Sequence, residues 1–158
     1  MKALRYFGER DIRHDSMEDP KLESDRDAIV QMTACSICGS DLHIYHGHGF
    51  SEDTGFCVGH EAVGEVVEVG RAVTRVKVGD KVMMPAAVGC GACRSCLSGV
   101  VNNCENNGSG CYGLSAKLQG VQAEAFRVPA ADMNAVKIPE GISEDQALMM
   151  TDAMATAW

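Results

Sequence analysis

The sequence predicts a mainly β fold with a few short helices, a small distorted barrel or sandwich. Three observations lead there. The apolar runs are short and rich in Val, Ala and Ile, they are punctuated by glycines (17 of 158 residues), and helical periodicity is confined to a few brief windows. A chain of 158 residues suffices for one sizeable core. With one Trp, three Tyr and four Phe, that core must rest on Val, Ala, Ile, Leu and Met.

Taken in order, Lys2 to Phe7 reads as a first strand ending at Gly8. Residues 9–27 are highly charged around Pro20, as a solvated loop or an edge strand would be. Ala28 to Ala34 is a β-rich run leading into Cys35. From Ser36 to Tyr45 the pattern turns helical, with Ile37, Leu42 and Tyr45 spaced for one apolar face. Gly47, Gly49 and Gly55 mark an open loop. Val58 to Val69 returns to strand, with Gly59, Gly64 and Gly70 as bend points. Val73 to Val78 alternates in polarity, and strand resumes at Lys81–Met84 until Pro85 stops it. Residues 86–113 form a glycine- and asparagine-rich lobe, and Val121 to Val128 reads as a further strand. Ser143 and Gln146 stand at capping-box spacing and open a helix through Met150.

The formal charge of −8, from 14 basic against 22 acidic residues, argues against nucleic acid or an anionic membrane as partner. No apolar run reaches the roughly 18 residues of a membrane span, and the opening Met1-Lys2-Ala3-Leu4-Arg5-Tyr6 has no apolar signal core. A reducing cytoplasm is the expected compartment, where clustered cysteines mean metal or catalysis rather than disulfides. Cys35, Cys57 and Cys111 are expected to be small buried hydrophobes, and His14, His46 and His48 surface or pocket-rim residues.

Four of the eight cysteines, Cys90, Cys93, Cys96 and Cys104, read C-x2-C-x2-C-x7-C. Three thiols on an x2 ladder with a fourth close by suit a closed tetrahedral zinc site, which braces a loop and leaves no position for chemistry. Reduced surface cysteines or a redox pair at Cys90/Cys93 or Cys93/Cys96 account for the spacing less well. A second set lies upstream in Cys38-Gly39-Ser40-Asp41-Leu42-His43 and Gly59-His60-Glu61. A thiolate and an imidazole from separate elements are two-thirds of an open catalytic zinc site.

These two motifs, followed by Val78-Gly79-Asp80-Lys81-Val82 and the four-cysteine lobe, resemble the zinc-dependent medium-chain alcohol dehydrogenases over essentially the whole chain. The resemblance implies a GroES-like catalytic barrel over residues 1–158, with the structural-zinc lobe at about 86–113. It implies two zinc ions per chain. Cys38 and His60 would be ligands of the catalytic one and Asp152, after Thr151, the third; Cys90, Cys93, Cys96 and Cys104 would hold the structural one. Ser40 would hydrogen-bond the zinc-bound oxygen, His43 would pass the proton outward, and Glu61 would enter the metal's shell or sit beside it. The implied reaction is oxidation of an alcohol to an aldehyde or ketone, by zinc-alkoxide formation and hydride transfer to NAD or NADP. Gly39 stands where some members carry an arginine for the cofactor pyrophosphate, which leaves the choice of nicotinamide open.

Gly108-Ser109-Gly110-Cys111-Tyr112-Gly113 satisfies G-x-G-x-x-G, but polar lobe residues precede it and Gly120 ends the short segment after it. A dinucleotide fingerprint needs a buried strand on its N-terminal side and a helix on its C-terminal side. The resemblance therefore puts the Rossmann nucleotide-binding domain outside this chain, makes it a missing partner, and leaves these residues alone inactive. A small-molecule alcohol or carbonyl substrate and a homo-oligomer complete the expectation. Formaldehyde-, threonine- and sorbitol-dehydrogenase-like activities share the same motifs. A stand-alone zinc-binding interaction module is the rival from another class.

Overall fold

The computed structural model describes residues 1–106 and 110–158. Strands β1 (Lys2–Gly8) and β2 (Asp11–Ser16) pair antiparallel from Lys2↔Ser16 to Gly8↔Asp11. The charged segment is thus partly an edge strand, which keeps its side chains in water. Strand β3 (Ala28–Cys35) buries Ala28, Ile29 and Val30, and leads after three residues into helix α1 (Gly39–Tyr45). Short strand β4 (Phe56–Cys57) covers the other side of β1, giving the order β2-β1-β4.

Strand β5 (Ala62–Val69) pairs antiparallel with β3 from Ala28↔Val69 to Cys35↔Ala62, and β6 (Lys81–Met83) lies on its far side. The lobe contributes helix α2 (Arg94–Leu97) and a 3-10 turn at Val101–Asn103. Then come β7 (Ala125–Val128), α3 (Ala131–Asn134) and β8 (Val136–Lys137), which complete a sheet of order β7-β3-β5-β6-β8. Helices α4 (Glu144–Thr151) and α5 (Ala153–Ala157) close the chain.

The two sheets join through residues 122–124. Leu4 N–H donates to Gln122 O at 2.9 Å, Glu124 N–H to Lys2 O at 3.0 Å, and Met32 N–H to Glu124 O at 3.0 Å. One stretch is therefore shared between β1 and β3. The five-stranded sheet carries the main core, with Val30, Val66, Val82, Met84, Tyr112 and Phe126, while Tyr6 and Phe56 of the three-stranded sheet pack in a second cluster with Ile44 and Val58. Val and Ala dominate the main core, with Met84 the one fully buried methionine among the described residues. The capping box forms as expected: Gln146 N–H donates to Ser143 Oγ at 3.2 Å, and Ser143 N–H to Gln146 Oε1 at 3.0 Å. Ala147 and Leu148 then pack helix α4 on Val63 of β5. Among the described residues no helix is long and apolar enough to cross a membrane.

Five local expectations are corrected. Helix α1 does not bury Ile37, Leu42 and Tyr45, which are 70%, 53% and 37% exposed; its inner face carries Asp41 and Ile44. Apolar spacing misled because a buried carboxylate takes the inner face. Residues 73–78 run outside the ladders, because Thr74 and Arg75 give their N–H groups to the Asp132 carboxylate at 3.0 and 2.8 Å. The run at Val121–Val128 enters a regular ladder only at Ala125, and 58–61 is irregular before β5. Of the leftover thiols only Cys57 is buried; Cys35 is exposed and Cys111 half-buried. Of the G-x-G-x-x-G run, Gly108 and Ser109 lie outside the described residues.

Gly64 serves close approach rather than bending. It sits where the β3–β5 register slips, and a Cβ there would lie 2.1 Å from Gln31 O and 2.7 Å from a Val30 methyl. Gly64→Ala is therefore expected to cost about 1–3 kcal/mol in denaturant unfolding by overpacking the sheet. Gly39→Ala, with nothing within 4 Å of the added carbon, should leave the unfolding midpoint nearly unchanged.

Candidate metal centres

The β3–β5 ladder builds the first centre. Antiparallel pairing brings the end of β3 beside the start of β5, and Ser36 N–H extends the ladder by donating to Glu61 O at 3.1 Å. Cys38, three residues past β3, and His60, two before β5, are thereby neighbours. The third group arrives from the far end of the chain. Helix α4 is packed on β5, and Ala86 N–H donates to Thr151 O at 3.1 Å, fixing the helix C-terminus. The backbone breaks at Asp152 (φ −146°, ψ −59°), which turns its carboxylate inward.

One ligand atom each from Cys38, His60 and Asp152 lies within 4.8 Å of the others. Asp152 Oδ2 stands 3.3 Å from His60 Nε2 and 3.6 Å from Cys38 Sγ. On the other side of the ring, His60 Nδ1 faces Asp41 Oδ1 at 3.6 Å. Both of these atoms are buried without a hydrogen-bond partner among the described residues, while Asp41 Oδ2 accepts the Cys38 N–H at 2.9 Å. Burial pushes the Asp41 carboxyl above its ordinary value in spite of that bond.

The remaining predicted residues fall into two groups. Glu61 is buried, its carboxylate accepting the Ser36 hydroxyl, and it does not join the three converging groups. Ser40 is half-buried, its Oγ 3.9 Å from Cys38 Sγ, and His43 is exposed one helical turn further along α1. His14, His46 and His48 are exposed, as expected. Asp41 was missed in the sequence, because Cys38-x-x-Asp41 departs from the usual Ser/Thr-x-x-Glu/Gln capping box although its carboxylate does accept the N-cap N–H. Cys111, expected as a buried hydrophobe, stands near the site without joining the donor set. Ala87↔Cys111 pairing brings it near Asp152, and burial, helped by that carboxylate, pushes its thiol up to about 12.

In the lobe, the Sγ atoms of Cys90, Cys93, Cys96 and Cys104 all lie within 4.8 Å of one another. Amide N–H groups point at the sulfurs: Ala92 and Cys93 at Cys90, Cys96 at Cys93, and Cys90 and Asn106 at Cys104, all between 3.3 and 3.4 Å. The Ala92 N–H, followed by the Asn106 side chain, draws the Cys90 thiol down to about 6. Burial pushes Cys96 up to about 11. Asn134 anchors the lobe from beneath. Only 1% exposed, it accepts Gly89 N–H at 3.0 Å and donates to Gly89 O at 2.8 Å and Pro129 O at 2.7 Å.

Both donor sets fit a zinc ion. Three of the four sulfurs are met by the amide donors named above, an arrangement suited to thiolates, and four thiolates would close a tetrahedral site. Around the first centre, Asp41, Glu61, Asp152 and Cys38 share only one imidazole, and a cation on His60 Nε2 would orient its Nδ1–H toward the orphaned Asp41 oxygen.

Comparison with known proteins agrees with this architecture. The profile of the alcohol dehydrogenase GroES-like domain matches residues 24–140. The chain is 43% identical over its full length to a medium chain reductase/dehydrogenase of an Acremonium species, of which it covers 53%. It is 36% identical, again over its full length, to zinc-type alcohol dehydrogenase B of Aspergillus flavus, of which it covers 36%. In structure it matches an alcohol dehydrogenase from Thermus sp. ATN1 with a TM-score of 0.93 and 35% identity, over 99% of this chain and 45% of that one. The chain thus spans about half or less of the length of these relatives. With the sheet architecture, the two donor clusters and the profile match all in agreement, the chain belongs to the GroES-like domain family of the zinc-type, medium-chain alcohol dehydrogenases.

Proposed function

We propose that these residues are the metal-binding catalytic domain of an alcohol dehydrogenase that uses zinc and a nicotinamide cofactor. The observation that carries the reading is the convergence of Cys38, His60 and Asp152, from three distant segments, into one donor set. A pure binding module has no use for a three-donor centre beside a closed four-thiol lobe. Zinc held by one thiolate, one imidazole and one carboxylate keeps a position open and polarises an alcohol or carbonyl oxygen as a Lewis acid.

The chain's own groups do the rest. Asp41 Oδ1 faces His60 Nδ1 at 3.6 Å, so with a cation on Nε2 the carboxylate would take the Nδ1–H and fix the ring. The Cys38 N–H, by bonding Asp41 Oδ2, ties the loop of one ligand to the orientation of another. Ser40, beside Cys38, would accept a hydrogen bond from the substrate hydroxyl and, as its Oγ takes that proton, give up its own hydroxyl proton outward. His43, on the same helix and open to water, carries it out. The lobe, with its own zinc, keeps the segment from Gly89 to Asn106 in shape. The reading places the nicotinamide-binding domain outside these 158 residues, leaves NAD or NADP open, and takes a small alcohol or carbonyl compound as substrate.

Metal analysis of protein purified without chelator is expected to give two zinc ions per chain. One ion, lost in Cys93→Ser, would leave only the binding-module reading. His60→Ala should lower the content from two to one while the fold survives; two ions retained would show that His60 is no ligand. Cys93→Ser should instead lower the melting temperature by about 10 °C or more, since a structural zinc contributes several kcal/mol or more to folding. An unchanged melting temperature would reject a structural role for the lobe metal.

A further inference from the structure

We infer that Ser36 is a positioning residue that holds the Glu61 carboxylate away from the open position of the metal centre. The inference rests on the zinc reading above, and its subject is a side chain to which neither the motif nor the donor set assigned a role.

Glu61 adjoins the ligand His60 and is only 4% exposed, so a charge there needs a partner. Among the described residues the hydrogen bond recorded for its carboxylate is the Ser36 hydroxyl, which donates to Oε2. Ser36 is itself fixed twice. Its N–H donates to Glu61 O at 3.1 Å, and its carbonyl accepts from Gln122 Nε2 at 3.1 Å. Gln122 is buried in turn, its backbone N–H bonded to Val58 O at 3.1 Å. Gly59 makes room for it: a Cβ on Gly59 would lie 2.4 Å from Gln122 Cγ, and the backbone there has φ +91°. A chain of contacts therefore runs from the sheet junction at residue 122, through Ser36, to the carboxylate beside His60.

The hydroxyl matters because the alternatives for Glu61 are few. Deprived of this donor, a buried carboxylate one residue from a metal ligand turns to the strongest remaining electrophile, the zinc. It would then occupy the position that an incoming oxygen needs. Ser36 thus sets how often the centre is open, without touching substrate or metal.

The test uses protein loaded with Co²⁺, whose visible spectrum reports coordination number, and azide as the incoming ligand. The four-thiolate lobe is closed, so only the Cys38/His60/Asp152 centre should respond. Ser36→Ala is expected to weaken azide binding by on the order of tenfold, the scale of one hydrogen bond to a charged group. It should also shift the unliganded spectrum toward a higher coordination number. Ser36→Thr, which keeps the hydroxyl, should restore both, and Ser36→Ala with Glu61→Gln should restore azide binding by removing the competing anion. Two cobalt ions with azide affinity unchanged in Ser36→Ala would overturn the inference and leave the zinc reading standing. A single cobalt ion in the unaltered protein, with no azide response, would overturn both.

Discussion

The meeting of Cys38 with His60 depends on where one antiparallel ladder stops. β3 and β5 are paired through Cys35↔Ala62, and the last rung, Ser36 N–H to Glu61 O, is made as both strands leave the sheet. Beyond that rung the two backbones part, and each turns to hand one donor to the same point. The segment after β3 is secured by Asp41, which caps its own helix through the Cys38 N–H. The segment before β5 is secured by the Gly59–Gln122 approach. A slip of one residue in this ladder would turn every side chain to the opposite face and separate Cys38 from His60.

The second constraint is electrostatic. Asp41 and Glu61 are 5% and 4% exposed, Asp152 lies against His60, and among the described residues no Lys or Arg is paired with any of the three. Burying carboxylates without a compensating cation is costly, several kcal/mol for each after relaxation. The upward push on Asp41 expresses that cost. A cation held among these donors would offset that cost, and the thiol and imidazole among them suit a borderline-soft ion better than calcium or magnesium.

The lobe is held by different means. Its sulfurs are approached by backbone amides supplied by a tight loop, while its base is pinned by a side chain from well downstream. Asn134 directs its amide to the Gly89 and Pro129 backbone, so the entry to Cys90 has its polar groups satisfied in a buried setting where water cannot serve. Local spacing thus makes the metal cage, and a distant asparagine joins the cage to the barrel.

Sequence alone was sufficient for β1, β3 and most of β5, the Ser143 capping box, the four-thiol lobe and the pairing of Cys38 with His60, because each is written in neighbouring residues or in ligand chemistry; the two-residue strands β4 and β8 are too short to leave a pattern. Asp152 could be named only through a resemblance, and its place in the donor set was decided by helix α4 packing on Val63 and by the break in the backbone after Thr151. The inner face of α1 was misread for the same kind of reason. Periodicity counts apolar residues, whereas the fold gives that face to a carboxylate whose partner, His60, lies on another segment. The roles of Ser36, Gln122 and Asn134 were likewise invisible, since a polar side chain acquires a task only when tertiary contact removes water from it and puts a particular backbone group in reach. Composition and spacing determined which atoms could bind metal; the ladder's end point and the helix docked on it decided which of them meet.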